Sequence, residues 1–146
     1  MKISSIVCAL FLGLITQNNY SQTTVSDPEI SKMVSEVSAS NMESTVRKLV
    51  SFGTRHTLSD TKSTTRGIGA AQRWVKAEFD KYAKDSNGRL TAEIDYFTVK
   101  ADGRRIAVDS QLGNVMATLK GTDPTDNRVL IMSGHLDSRA SDVMNA

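Results

Sequence analysis

Four consecutive apolar residues, Val129 to Met132, are followed by Ser133 and Gly134 and then by His135 and Asp137. No other stretch limits the fold as tightly. A run that is apolar without alternation needs cover on both faces, so Arg128 to Ser138 reads as a buried strand of an α/β sheet. In open α/β sheets helices occupy the faces, and ligands bind in the crevice beyond the carboxyl ends of the strands. Extended backbone sends residues i and i+2 to the same side. Asp137 can then hold the His135 imidazole in one tautomer, as carboxylates do behind metal-binding histidines.

A histidine and an aspartate at a strand end suit three chemistries. A serine hydrolase needs its nucleophile on a sharp, glycine-flanked turn, a setting that Ser133 and Ser138 lack. A free general base needs a substrate pocket built by other strands. A zinc ligand needs two or three further donors, and the chain offers none at an evident ligand spacing. His56, the one other histidine, lies in the polar connection Gly53 to Asp60 and reads as a loop histidine bonded to backbone or water. Arg55 beside it suits a carboxylate partner and a solvated loop position equally.

The preceding chain supplies elements to cover a sheet. Asp27 before Pro28 makes an amino cap and a first-turn proline, and Ile30, Met33, Val34 and Val37 recur at helical spacing. Ser40 and Glu43 form a capping box for a second helix with Met42, Val46, Leu49 and Val50 on one side, ended by Gly53. Thr65 to Lys84 predicts the longest helix, its stripe Ile68, Ala71, Val75, Phe79 and Tyr82 widened by Trp74 and read as core. Leu90 to Tyr96 alternates as a half-exposed strand, which leaves Glu93 and Asp95 on a solvated face. Asp102 and Gly103 signal a hairpin with a short return strand near Ile106 and Val108. Gly113 and Asn114 then precede a further strand, Val115 to Lys120.

The chain has 146 residues, enough for one domain. A 39% hydrophobic share is compatible with a packed core, and 18 basic against 16 acidic residues, spread along the chain, form no basic stripe for nucleic acid. At the amino terminus, Lys2, the apolar run Ile6 to Ile15 and the polar stretch Gln17 to Ser21 read as a secretory signal, residues 1–21. The run is too short for a membrane span, so no stable membrane association is expected, and Cys8 lies at its start, where a lipid-attachment cysteine would follow it. Residues 22–146 form the exported part, secreted or periplasmic, with no cysteine for disulfides.

Gly-His-Leu-Asp-Ser at 134 to 138, with the apolar run before it and Asn114 to Gly121 upstream, closely resembles the co-catalytic di-zinc aminopeptidases. That family includes the bacterial leucyl aminopeptidases and aminopeptidase Y. Phe52 to His56 and the helix holding Gly69 to Trp74 look like the corresponding amino-terminal portion, so the resemblance runs from about Asn41 to Ser138. It implies a helix-flanked mixed α/β sheet, a peptide or protein substrate, and two zinc ions in the complete fold. It makes His135 a ligand of one zinc, and Asp137 the catalytic-centre carboxylate that orients its ring. In the family, the metals activate a water that a glutamate deprotonates.

The family's bridging aspartate, its Glu-Glu pair and the remaining zinc ligands follow this motif. Here Asp142 is the one acid after Asp137 and lacks an Asp-Gly context. The expectation is an amino-terminal part, roughly 40 to 50%, of an exported zinc exopeptidase domain, inactive and marginally folded by itself. Carboxypeptidase action and glutaminyl cyclisation stay open beside aminopeptidase action. From another class, a non-catalytic exported α/β binding module on a peptidase-like scaffold is the alternative.

Overall fold

The computed structural model describes residues 27–139. The signal segment 1–21, its Cys8, and Asp142 lie outside the described residues. The chain divides into two compact units, Met1–Val37 and Ser38–Ala146.

The described part of the first unit is helix α1, Pro28–Ser35. It starts where the sequence says it should: the Asp27 carboxylate accepts the Glu29 N–H at 2.8 Å, and Pro28 fills the first turn, where no backbone donor is needed. Its apolar residues Ile30, Met33 and Val34 stay exposed.

The second unit combines helices with a two-stranded antiparallel sheet: α2 (Ala39–Val50), α3 (Gly67–Lys84), β1 (Leu90–Val99) and β2 (Ser110–Leu119). Helix α2 begins earlier than the capping box predicts. Ser38, in extended backbone, accepts the Asn41 N–H at 3.2 Å, and Glu43 pairs with Arg47 one turn on instead of reaching back to a cap. Of its apolar face only Leu49 joins the core; Met42, Val46 and Val50 remain exposed.

Helix α3 starts without a side-chain cap on Arg66. Its first N–H groups are satisfied by the preceding loop, which folds back across its end: Gly67 donates to the Phe52 carbonyl (2.9 Å), Ile68 to Ser59 Oγ (2.9 Å) and Gly69 to the Asp60 carbonyl (3.1 Å). Backbone thus lies against backbone. A Cβ on Gly67 would overlap the Asp60 carbonyl, and one on Gly69 the Thr61 carbonyl. Arg73, two turns into the helix, holds the same loop by donating to the Thr61 carbonyl at 2.9 Å and to that of Ser63.

The core is small. Phe52, Ala70 and Ala71 are buried, with Leu49, Trp74 and Leu136 packed around them. The Phe52 and Trp74 rings meet at 6.2 Å and 50°, a tilted arrangement favoured by aromatic quadrupoles. Trp74 is therefore core, as its place on the stripe predicts, whereas Tyr82 at the far end is 67% exposed.

Helix α3 packs on both strands, and Gln72 Nε2 donates to the Gly113 carbonyl at 2.8 Å. The hairpin departs from expectation in register. The return strand is Ser110–Leu119 rather than a short piece near Ile106 and Val108, and it pairs Leu90 with Leu119 through to Val99 with Ser110. Gly113 sits within this strand and not before it, opposite Tyr96, whose ring edge occupies the space a side chain at 113 would need. The connection is long because Asp102 organises it. Its carboxylate accepts the N–H groups of Arg104, Arg105 and Ile106 at 2.8 to 2.9 Å, making a capped loop where the Asp-Gly pair predicts a tight turn.

The strand expected over Arg128 to Ser138 is absent. Val129 to Met132 are 80 to 97% exposed, and no described strand pairs with them. Four apolar residues form a buried strand only when neighbours take their N–H and C=O groups and cover both faces. The described residues provide neither.

Candidate functional site

His135 and Asp137 do meet. Nδ1 of the imidazole lies 2.9 Å from Asp137 Oδ1, in the i, i+2 relation their spacing predicts. An ionised carboxylate only accepts hydrogen bonds, so the contact places a proton on Nδ1, and in the neutral ring this leaves the lone pair on Nε2. The His135 side chain is 96% exposed and that of Asp137 46%. The imidazole therefore presents Nε2 outward, with its tautomer set from behind.

What holds the pair is not a strand ladder but Arg55. Its Nε donates to the Leu136 carbonyl at 3.0 Å, its backbone N–H donates to Ser138 Oγ at 2.9 Å, and its own carbonyl accepts the Ser138 N–H at 3.2 Å. On its other side Nη1 donates to the carbonyls of Leu49 (2.5 Å) and Gly53 (3.2 Å). Burial lowers the pKa of this guanidinium and the Asp137 charge raises it again. Leu136 anchors the segment from its apolar side against the Phe52, Ala70 and Ala71 core. His and Asp flank a residue that faces inward, so they face out.

His56 is not part of this arrangement. Its Nδ1 accepts the Leu58 N–H at 3.1 Å and its carbonyl accepts that of Ser59 at 2.8 Å, a loop histidine bonded to backbone as its sequence setting suggests. Glu93 and Asp95 are exposed on β1. Two open concave surfaces, one at Lys120 to Arg128 and one at Asp102 to Arg105, are not lined by His135 or Asp137.

The donor set limits the chemistry. Among the described residues no group of three or more His, Cys, Asp and Glu side chains converges to hold a metal. His135 suits one ligand position, and a zinc site needs three or four. Those residues do not complete a zinc centre, and no catalytic step is assigned to them.

The chain is similar to fungal proteins named probable zinc metalloproteases. It is 49% identical over 119 residues to one of Pyrenophora teres f. teres, an alignment covering 82% of this chain and 24% of that protein. It is 48% identical over 119 residues to one of Leptosphaeria maculans, covering 82% and 27%, and 43% identical over 119 residues to one of Pyricularia oryzae, covering 82% and 23%. The chain spans about a quarter of the length of these relatives. No protein-family model and no solved structure matches it.

Proposed function

We propose that this chain is part of an exported zinc-dependent exopeptidase of the aminopeptidase kind, with His135 ligating zinc through Nε2 and Asp137 orienting the ring. The carrying observation is the 2.9 Å contact between His135 Nδ1 and Asp137 Oδ1 behind an outward-facing imidazole. Carboxylates in that position fix the tautomer and raise the basicity of a metal-binding histidine. The names of the fungal relatives support zinc and a peptide or protein substrate. The choice of aminopeptidase and of two zinc ions rests on the resemblance around Gly134 to Ser138. Export rests on residues 1–21, and the absence of a basic stripe argues against a nucleic-acid partner. Among the described residues no helix is long and apolar enough to cross a membrane.

When bound, zinc would supply a polarised carbonyl and an activated water. The contribution of the described residues is narrower. Asp137 holds the Nδ1 proton, and His135 offers one nitrogen.

Two measurements test this. The 146-residue chain, purified alone, is expected to bind zinc substoichiometrically at micromolar metal and to leave an aminoacyl-arylamide intact. In the complete protein, His135→Ala is expected to lower zinc content, and Asp137→Asn to weaken zinc affinity about 10- to 100-fold. Zinc content of the complete protein that ignores His135→Ala would sink the proposal and fit the non-catalytic binding module instead.

A further inference from the structure

We infer that Arg55 is the positioning residue for the His135 and Asp137 pair, gripping the backbone on both sides of Asp137 and so setting the direction of the His135 ring. The inference concerns this chain's own residues, and its use to a zinc ion rests on the reading above. The geometry is specific. Leu136 and Ser138, the two neighbours of Asp137, are each tied to Arg55, the first through Nε at 3.0 Å and the second through a reciprocal pair of bonds at 2.9 and 3.2 Å. Upstream, Val129 to Met132 have no described strand beside them. The tether of the site segment is therefore this arginine together with Leu136 in the core.

The far side of the guanidinium explains why it can act as a fixed post. Nη1 donates to the Leu49 and Gly53 carbonyls at 2.5 and 3.2 Å, so the head group is bound to the last turn of α2 and to the bend after it. Three carbonyls converge on one planar cation. A lysine reaches with a single point charge and lacks the rigid fork that bonds carbonyls on two sides at once. If Arg55 served merely as a nearby positive charge, Lys would replace it; if it acts through the fork, Lys would not.

The test reads the ring directly in metal-free protein. Complete protein carrying ring-15N histidine, at a pH where imidazole is neutral, is expected to show His135 as the Nδ1–H tautomer, the signal being assigned by its loss in His135→Gln. In Arg55→Gln that signal is expected to shift toward the tautomer mixture of free imidazole while the His56 signal and the β1 and β2 amides stay in place. Arg55→Lys is expected to behave like Arg55→Gln, and Ser138→Ala to give a smaller shift in the same direction. A His135 ring unchanged in a folded Arg55→Gln, or restored to its parent state by Lys, would overturn the inference. Should Arg55→Gln fail to fold, Arg55→Lys decides, since a parent-like ring there overturns it equally; the Ser138 bonds come from the Arg55 backbone and survive either change. Zinc affinity of the complete protein is a separate arm, expected to fall about 10-fold or more in Arg55→Lys. If His135→Ala leaves zinc binding untouched, the zinc reading fails, and the tautomer arm still decides the role of Arg55.

Discussion

Asp137 and Arg55 differ in how visible they are in a sequence. The His-x-Asp spacing carries its own geometry, because i and i+2 share a side in extended backbone, and the 2.9 Å contact follows from it. Arg55 leaves no such mark. Its partners are main-chain carbonyls at Leu49, Gly53 and Leu136, and every residue type has a carbonyl, so nothing in the side-chain pattern announces the contact. The same holds for Gly69. A glycine two residues into a helix looks like a weakness, since it loses more backbone freedom than alanine, yet here the Thr61 carbonyl lies where its Cβ would go. Gly69→Ala is expected to destabilise the fold by about 1 to 3 kcal/mol, as overpacking against unyielding backbone does, read as a lower urea midpoint with unchanged slope.

The helices and the hairpin were legible to different degrees. Period-3.6 stripes and the Asp27 and Gly53 signals locate three helices, because each depends on neighbours within one turn. The hairpin register depends on what its loop residues bind. Asp102 and Gly103 have the composition of a tight turn, but the Asp102 carboxylate spends its lone pairs on three successive N–H groups and Lys100 pairs with Asp109 at 2.6 Å, so the loop closes late. Gly113 misleads in the opposite way, being a strand residue covered by Tyr96. The bonds from Ile106, Arg104 and Arg105 hold the Asp102 pKa below the ordinary aspartate value. A depressed folded-state pKa means that this contribution to loop order is complete above the unfolded value of about 3.9 and disappears as pH falls through the folded value. The amides of Arg104, Arg105 and Ile106 are therefore expected to titrate together in acid, with a midpoint below about 3.9, in an NMR pH series. A midpoint at or above the unperturbed value would contradict the capped-loop geometry.

At the scale of the whole chain, the strand expected at Val129 to Met132 shows the boundary of sequence reasoning most clearly. Apolarity states a demand for neighbours, and a structure either contains them or leaves the run exposed, here at 80 to 97%. The two hairpin strands pair with each other within the described residues; this run has no strand beside it there. The contacts that seat the candidate site also join residues 81 and 83 positions apart. Closing a loop of that size, compared with the roughly ten-residue connection inside the hairpin, costs about 2 kcal/mol more in chain entropy. The order of events in folding follows from this difference. The hairpin and its contact with α3 can form while the His135 segment is still searching, and the site is completed by a late docking step that can also reopen by itself. In native-state hydrogen exchange the Ser138 amide is expected to exchange faster than the β1 and β2 ladder amides, through an opening that leaves those strands paired. Equal protection at Ser138 and in the ladder would mean that site and scaffold unfold as one unit.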